Sequence, residues 1–402
     1  MFWFFGAASK RLASLIAVAA VAAVSLEPVA AAPAKAATPT DAPIAFLYDV
    51  ASGATLFAKQ ADLPAPPASM ATLMTLELVF KALREEKLRL SDTLKITEDA
   101  WRRGGAPSGS STMFAKLKSE VPVSDLLRGV IVQAGNDAAI TLAVALAGSE
   151  PAFAEEMNRR AKQLGLARST FRNATGQPDP EQKMTARDIA ILAAHLIEAY
   201  PREYKIFAEP EFTWNKITQR NRNPLLADYP GADGLKTGFT ADSGYGLAGS
   251  VLRDGRRLII VLNGLETAKA RAEEARKLLD WGFTAFAQRR LFEAGAPVAD
   301  ARVFGGTSLY VPLVSIQPID LLTPKGDESR VAARVTYDGP LRAPIAKGDK
   351  VATLRVWRGD TLTVETPLVA GADVAEGDLG RRAFDGALEL VSGLVDTVAE
   401  RI

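Results

Sequence analysis

Residues 67–75, PASMATLMT, are the stretch around which the chain is organised. Pro66 and Pro67 cannot lie inside a helix, and Ser69 is of a residue type that often caps a helix N-terminus. The apolar residues that follow have helical spacing: Met70, Leu73, Met74, Leu78 and Val79. A serine at a helix start faces unpaired N–H groups and the positive end of the helix dipole, which favour a negatively charged oxygen. The stretch therefore indicates either a reactive serine or a simple N-cap.

Two later stretches favour the reactive serine. Residues 129–137, GVIVQAGND, contain Ala134 and Asn136, and residues 233–240, DGLKTGFT, contain a Lys-Thr-Gly motif. Together with Ser69 they resemble the S-x-x-K, S-x-N and K-T-G motifs of the penicillin-recognising serine enzymes. The resemblance is strongest to the D-alanyl-D-alanine carboxypeptidases, the low-molecular-mass penicillin-binding proteins. It covers about residues 43–287 and includes three further segments, at 126–133 (LLRGVIVQ), 173–176 (NATG) and 221–223 (NRN).

Two positions depart from the family pattern. Thr72 stands at the position of the family lysine in S-x-x-K, and Ala134 stands at the position of the family serine in S-x-N. In the family, the first serine attacks the carbonyl of a terminal D-Ala-D-Ala bond, the lysine activates it, and the second serine relays a proton to the leaving nitrogen. Thr72 has no basic nitrogen and Ala134 has no hydroxyl, so neither side chain can handle these protons.

The other site residues that the resemblance implies are present. The resemblance implies that Ser69 is the acyl nucleophile, that its backbone N–H and that of Phe239 form the oxyanion hole, and that Asn136 holds a substrate amide. Phe239 stands where the family commonly has histidine, which makes that wall of the cleft more apolar. The expected substrate-binding residues, of which the cationic ones attract a terminal carboxylate, are Lys236, Thr237, Gly238, Phe239 and Arg222.

Three functions remain open on this reading. The first is a slow serine carboxypeptidase in which Lys236 serves as the residual base; Lys59 and Lys116 are alternatives without positional support. The second is a non-catalytic homologue that binds peptidoglycan stem peptides ending in D-Ala-D-Ala or scaffolds other wall proteins. The third, a β-lactamase, is weaker because no deacylating carboxylate can be assigned. β-Lactams resemble the substrate and are expected ligands in each case.

Composition excludes several other classes of function. The chain has 402 residues with a net charge of +1 and no cysteine. A nucleic-acid partner, disulfides, thiolate metal sites and a cysteine nucleophile are therefore not expected. The one histidine, His195, lies in a helical pattern far from the motifs, so a Ser-His-Asp triad is disfavoured and His195 is interpreted as structural. No cofactor and no metal are predicted.

Both ends of the chain have sequence patterns that predict secretion or contact with a membrane. Residues 1–32 read as a secretory signal peptide, with Lys10 and Arg11 before an apolar core and small residues after it. Residues 33–42 read as a flexible leader. Residues 379–402 carry an apolar helical stripe and are predicted to form an amphipathic helix. Two placements are open, the inner-membrane surface, which is favoured, and the body of the protein itself. The predicted location is the periplasm.

The folded part is predicted to be α/β. Over residues 43–287, strand patterns at both ends surround a helical block, which predicts an antiparallel sheet flanked by helices plus a helical lobe. The resemblance implies the same layout, a penicillin-binding or β-lactamase-like transpeptidase fold with the site in the cleft between the lobes. Residues 288–378 alternate apolar and polar positions and predict a small antiparallel all-β domain, interpreted as a spacer or partner-binding module.

Overall fold

The computed structural model describes residues 39–359, 361–383 and 385. Its helices are α1 (Thr72–Arg84), α2 (Glu98–Gly104), α3 (Val123–Ile131), α4 (Asn136–Ala147), α5 (Glu150–Gln163), α6 (Ala186–Ala199), α7 (Leu225–Asp228) and α8 (Ala268–Thr284). Its strands are β1 (Ile44–Asp49), β2 (Thr55–Lys59), β3 (Thr93–Lys95), β4 (Glu120–Pro122), β5 (Glu211–Trp214), β6 (Ile217–Arg220), β7 (Ala232–Thr240), β8 (Gly244–Arg253), β9 (Arg256–Leu265), β10 (Phe286–Phe292), β11 (Pro297–Phe304), β12 (Tyr310–Val314), β13 (Ile319–Pro324), β14 (Val331–Thr336), β15 (Leu341–Arg342), β16 (Lys350–Arg358) and β17 (Thr361–Ala370).

The central sheet has the order β2-β1-β9-β8-β7 and is antiparallel throughout. Its middle strands are continuous apolar runs because both faces of the sheet are covered. Phe46 and Val261 pair across β1 and β9 and face a core shared with α1 and α6. Leu47 and Ile260, the next pair, face the opposite core, which α8 closes. The strand order places β7 at one edge of the sheet, beside the turn that carries Ser69.

The helical lobe lies between β2 and β7 in the chain. Its helix α4 is buried for its first two turns, which fixes the loop before α4 in the interior of the domain. The lobe is not purely helical, because it contains two short hairpins. The sequence pattern does not predict β3–β4, whereas β5–β6 belongs to the strand pattern that follows the helical block. β3 and β4 pair over only three residues and are little buried, so their alternation is too brief to be detected in the sequence. The predicted α/β class is confirmed.

The second part of the chain is all β, as predicted. One sheet has the order β14-β16-β17-β12-β11-β15, and a separate pair joins β10 to β13. The expectation of a purely antiparallel domain is wrong in one place, because Val303 of β11 pairs with Leu341 of β15 in parallel. Alternation of apolar residues predicts a strand but carries no information about the direction of its partner.

Several predictions fall outside the described residues. The signal peptide at residues 1–32 lies there, as do most of the leader at 33–42 and nearly all of the helix at 379–402. These remain predictions, as do the domain boundaries at residues 287 and 378. In the part of the chain that the structure covers, none of the helices is both long enough and apolar enough to cross a bilayer.

Candidate active site

Ser69 lies in a single 3₁₀ turn, Ala68–Ala71, that leads directly into α1. The capping positions of the turn and of α1 are Pro67 and Ala71, and neither helix start has a side-chain cap. The alternative interpretation of Ser69 as a simple N-cap is therefore wrong. Within the described residues its hydroxyl has no hydrogen-bond partner, and Ser69 lines a cavity of about 450 Å³. A free hydroxyl facing a cavity is the placement that a nucleophile requires.

Two glycines allow the neighbouring segments to approach this turn. A Cβ at Gly176 would lie 1.9 Å from the carbonyl oxygen of Ala68, and one at Gly238 would lie 2.8 Å from that of Pro67. Ala68 itself adopts a left-handed backbone conformation, with φ +49°. Thr75 also donates a 2.7 Å hydrogen bond from its hydroxyl to the carbonyl oxygen of Ala174. The Asn-Ala-Thr-Gly and Lys-Thr-Gly segments thus hold the Ser69 turn in place from two sides.

The cavity brings together six of the nine predicted site residues. Those that line it are Ser69, Ala134, Arg222, Thr237, Gly238 and Phe239. The other three, Thr72, Asn136 and Lys236, are buried next to lining residues. The structure adds four lining residues that the sequence reading missed: Ser111, Tyr245, Ala268 and Arg271. The two predicted oxyanion donors, the backbone N–H groups of Ser69 and Phe239, belong to residues on the wall.

Thr72 lies one helical turn after Ser69, but its hydroxyl is hydrogen-bonded to the backbone and not to the Ser69 hydroxyl. Its Oγ1 donates a 2.7 Å hydrogen bond to the backbone carbonyl oxygen of Ser69. Thr72 is buried, with 3% of its surface exposed. Ala134 adopts φ +54° and presents only its methyl group to the cavity. Neither residue can accept the proton of Ser69.

Asn136 is held by the serine-rich loop before β4. Its Nδ2 donates to Ser110 Oγ at 3.0 Å, and its backbone N–H donates to the carbonyl oxygen of Ser111 at 2.9 Å. Asp137 fixes the same loop by accepting from the Thr112 hydroxyl at 2.7 Å and the Met113 N–H at 2.9 Å. Residues 104–112 are dense in Gly and Ser, a composition that is typical of a loop. Its position on the cavity could not be predicted, because it depends on the tertiary contact with α4.

Three cations meet at the end of the cavity. Lys236 is buried, and this burial, with the nearby positive charges of Arg222 and Arg271, lowers its pKa to about 7. Burial likewise lowers the pKa of both arginines. Arg222 Nε donates to the carbonyl oxygen of Gln133 at 3.1 Å, and the guanidinium of Arg271 lies 5.7 Å from the Tyr245 ring centre. Among the described residues none of the three forms an ion pair with a carboxylate.

Burying a cluster of cations without a carboxylate costs free energy, and a bound anion lowers that cost. A ligand carboxylate that enters this end of the cavity would meet Arg222, Arg271 and the Thr237 hydroxyl. Lys236 would add its charge once protonated. The sequence predicted carboxylate binding by Lys236, Thr237 and Arg222. It gave no signal for Arg271, which lies on α8 and reaches the site only through the packing of α8 on the sheet.

Phe239 forms the outer wall of the cavity. It is 52% exposed, and its ring stacks on Tyr245 with centroids 4.2 Å apart. The stacked rings place an apolar surface beside the Ser69 hydroxyl. The family commonly has a histidine at this position, and its side chain can carry a proton. The opening next to Ser69 is therefore apolar, whereas the cavity end is cationic.

The other side chains considered as possible bases for Ser69 do not line its cavity. His195 Nε2 is 3.2 Å from Glu77 Oε2 in a buried cluster in which Arg160 Nε is 2.6 Å from Glu77 Oε1. Lys59 lies on β2, at the edge of the sheet opposite to β7, and Lys116 is exposed in the loop before β4. Neither lysine lines the Ser69 cavity. In the described part of the chain the site provides a serine, an anion-binding end with two arginines, and the buried Lys236, whereas no other lysine and no histidine lies beside the cavity.

Comparison with known proteins defines the class first. A model of the D-alanyl-D-alanine carboxypeptidase family matches residues 30–267, and a model of the penicillin-binding protein 5 C-terminal domain matches residues 286–376. The crystal structure of penicillin-binding protein 5 from Haemophilus influenzae superposes with a TM-score of 0.74 and 40% identity, over 84% of this chain and 98% of that one. The fold is thus that of the penicillin-binding proteins.

The relatives with matching sequences place the chain within that class. D-Alanyl-D-alanine carboxypeptidase DacA of Haemophilus influenzae is 40% identical over 87% of this chain and 89% of its own. DacC of Escherichia coli is 40% identical over 86% and 87%, respectively. The chain belongs to the D-alanyl-D-alanine carboxypeptidase family, whose members act on peptidoglycan. Penicillin-binding protein D2 of Listeria monocytogenes, solved with ampicillin bound, matches 60% of this chain and 98% of its own with a TM-score of 0.55 and 32% identity.

Proposed function

We propose that this chain binds peptidoglycan stem peptides that end in D-Ala-D-Ala and that its carboxypeptidase activity is strongly impaired. The proposal rests on two features around one cavity, a binding site for a carboxylate and the lack of a proton acceptor. Arg222, Lys236 and Arg271 provide a carboxylate site with no internal partner, whereas Thr72 and Ala134 provide no proton acceptor. Binding is therefore retained and proton transfer is not.

The carboxylate site determines which peptides bind. A terminal carboxylate accepts charge-assisted hydrogen bonds, each of which contributes on the order of 1.5–3 kcal/mol. With the carboxylate beside Arg222 and Thr237, the preceding peptide bond extends toward Ser69. The proposal therefore requires a free C-terminus, and an amidated peptide should bind at least tenfold more weakly.

The loss of the proton acceptor limits the reaction. Ser69 can attack a carbonyl only if its proton leaves, and loss of a general base costs on the order of 10² to 10⁴ in rate. Loss of nucleophile activation as a unit can approach ~10⁶. Turnover of a D-Ala-D-Ala peptide is thus expected far below the ~10 s⁻¹ that is typical of enzymes.

A slow carboxypeptidase is the second candidate, favoured by the state of Lys236. A lysine with a pKa of about 7 is partly uncharged at neutral pH and can accept a proton. Lys236 forms no hydrogen bond with Ser69 within the described residues, so this route requires a change in side-chain position when the ligand binds. A β-lactamase activity has no specific observation in its favour.

Two measurements test the proposal. Isothermal titration of the mature chain with a D-Ala-D-Ala pentapeptide should show binding that is lost on C-terminal amidation, and D-alanine release should be near background. A fluorescent penicillin, monitored by mass shift, should label Ser69 slowly and should leave Ser69→Ala unlabelled. Release of D-alanine at ordinary enzyme rates would overturn the impairment. Equal binding of free and amidated peptides would overturn the carboxylate site.

The proposed location follows from the proposed ligand. Stem peptides are found outside the cytoplasmic membrane, and residues 1–32 carry the pattern of a secretory signal. We therefore place the chain in the periplasm, with the apolar stripe of residues 380–402 on the outer face of the inner membrane. Fractionation of cells that express the full chain, beside a chain truncated after residue 379, tests both statements. Recovery of the full chain with cytoplasmic markers would contradict them.

A further inference from the structure

A hydroxyl on the wall of the Ser69 cavity comes from the helical lobe. Besides Ser69, three residues that line the cavity carry a hydroxyl: Ser111, Thr237 and Tyr245. Thr237 and Tyr245 lie on the paired strands β7 and β8 of the central sheet. Ser111 lies in the serine-rich loop before β4 and so shares the helical lobe with Ala134, the position where the family has its second serine.

The loop that carries Ser111 packs directly on the segment that follows Ala134. The carbonyl oxygen of Ser111 accepts the backbone N–H of Asn136 at 2.9 Å. A Cβ at Gly135 would lie 2.8 Å from the backbone nitrogen of Met113, so the two segments are in close contact along their backbones. The loop therefore brings a hydroxyl to the same wall of the cavity on which Ala134 lacks one.

The hydroxyl of Ser111 is free, whereas those of its two neighbours are engaged. Ser110 Oγ accepts a 3.0 Å hydrogen bond from Asn136 Nδ2, and the Thr112 hydroxyl donates to Asp137 at 2.7 Å. Within the described residues the Ser111 hydroxyl has no hydrogen-bond partner, and the residue is partly exposed to the cavity. The neighbours thus fix the loop, and Ser111 keeps its proton available for a ligand.

We propose that Ser111 is the proton relay in the residual acylation of Ser69 and replaces the hydroxyl that Ala134 lacks. When Ser69 Oγ attacks the carbonyl carbon, its proton passes to the neutral Lys236 amine and the carbonyl oxygen becomes an oxyanion. The oxyanion then re-forms the C=O bond and the C–N bond breaks. Ser111 Oγ gives its proton to the leaving nitrogen and takes one from the Lys236 ammonium. The products are the acyl ester of Ser69 and a free amine, and both relay groups return to their starting state.

The inference rests on the proposed function, because it concerns the slow reaction of a ligand that the carboxylate site holds. It adds the residue that protonates the leaving group. It also ranks the two departures from the family pattern. The loss of the lysine at Thr72 should limit the rate more than the loss of the serine at Ala134, because Ser111 already provides a hydroxyl on that wall.

The leaving group determines whether a relay is needed. The nitrogen of a peptide bond or of a β-lactam ring leaves only with a proton, whereas a thiol, with an ordinary pKa of about 8.5, can leave as a thiolate. Two probes of the full chain exploit this difference. One is a fluorescent penicillin, monitored by mass shift. The other is a thioester in which thioglycolate replaces the last D-Ala, so that the terminal carboxylate is kept, monitored by thiol release.

Ser111→Ala should slow penicillin labelling by about 10²-fold and change thiol release by less than about twofold. Ser111→Thr, which keeps a hydroxyl, should retain most of the labelling rate. Ser119→Ala is the matched control, because it removes a hydroxyl of the same loop that donates to the Lys116 carbonyl oxygen outside the cavity. The same set in a Thr72→Lys chain repeats the comparison with a base restored. Thermal unfolding of each variant identifies any loss of fold.

Ala134→Ser tests whether Ser111 fills the role of the absent serine. In the Ser111→Ala chain it should raise penicillin labelling by about 10²-fold, because it returns the missing relay. In the wild-type chain it should raise labelling by less than about threefold, because a relay is already present. Equal gains in both chains would show that the two positions act independently and would overturn the replacement.

The remaining outcomes separate this inference from the proposed function. If Ser111→Ala slows penicillin and thioester equally, Ser111 supports the shape of the site and the relay is wrong. Unchanged penicillin labelling in Ser111→Ala, or no labelling of any variant even with Thr72→Lys, also overturns the relay. None of these results bears on peptide binding, so the proposed function would stand. Equal binding of free and amidated peptides overturns the proposed function and is measured without any Ser111 variant.

Discussion

Thr72 Oγ1 donates a 2.7 Å hydrogen bond to the backbone carbonyl oxygen of Ser69. The residue at the position of the family base is thus tied to the backbone of the nucleophile, not to its hydroxyl. A threonine at this position stabilises the turn that carries Ser69 and cannot take its proton. The same turn is held by Gly176 and Gly238, so its shape does not depend on a catalytic lysine.

The double substitution Thr72→Lys with Ala134→Ser should restore acylation. It returns a basic nitrogen one helical turn after Ser69 and a hydroxyl across the cavity, which together supply the missing proton path. We expect labelling by a fluorescent penicillin to rise by about 10² to 10⁴ over the wild-type chain.

The control for that experiment is the triple variant that also carries Ser69→Ala, which should not be labelled. Because Thr72 is buried, thermal unfolding of the double variant must show that it is folded. A folded double variant that labels no faster than wild type would place the defect outside these two positions.

The residual labelling rate should depend on Lys236 and on pH. Its pKa is lowered to about 7, so the amine is mostly charged below pH 7 and mostly neutral above it. Only the neutral amine accepts a proton, so the slow labelling rate should rise through pH 7 and level off about one unit higher. Lys236→Gln should remove the rise. A rate that falls between pH 6 and pH 8 would exclude Lys236 as the base.

The affinity for a carboxylate peptide should change with pH in the opposite direction. A bound carboxylate favours the charged form of Lys236 and raises its pKa, so binding near pH 7 should take up protons. Affinity should therefore weaken as the pH rises above 7 and Lys236 loses its charge. Titrations in two buffers of different ionisation enthalpy measure the proton uptake directly. Binding without proton uptake at pH 7.5 would contradict contact between Lys236 and the carboxylate.

Arg271→Gln should weaken binding of D-Ala-D-Ala peptides by about tenfold to a hundredfold, because one charge-assisted hydrogen bond to the carboxylate is lost. Binding of an amidated peptide should not change, since it lacks the charge. Arg202→Gln, at an exposed arginine outside the cavity, is the control. If Arg271→Gln weakens both peptides equally, the side chain supports the fold of the site and does not bind the carboxylate.

Ala134→Gly should stabilise the chain by about 0.5–1 kcal/mol. Ala134 has φ +54°, a left-handed conformation that strains residues with a Cβ and that glycine adopts freely. Ala138→Gly is the matched control, because it lies inside α4 and should destabilise by about 1 kcal/mol. Urea denaturation measures both. A destabilised Ala134→Gly would show that the Ala134 methyl group makes packing contacts worth more than the strain.

The sequence alone predicted the α/β class, the all-β second part and the identity of most residues around the cavity. It could do so because these features are local: strands and helices follow from apolar periodicity, and the motifs around Ser69, Asn136 and Lys236 are short. The absence of a base at Thr72 and Ala134 was also readable, since a side chain without a basic nitrogen lacks it in any fold.

Only the tertiary structure decided the rest. Arg271 comes 35 positions after Lys236 in the sequence, and it reaches the cavity because α8 packs on the sheet. No local sequence pattern encodes this contact. Ser69 is not an N-cap because it lies inside a 3₁₀ turn whose N-cap is Pro67, and Gly176 and Gly238 pack closely against that turn. The lowered pKa of Lys236 likewise arises from burial and from neighbours on other elements. Electrostatics and close packing depend on residues distant in the chain, so they are properties of the folded molecule.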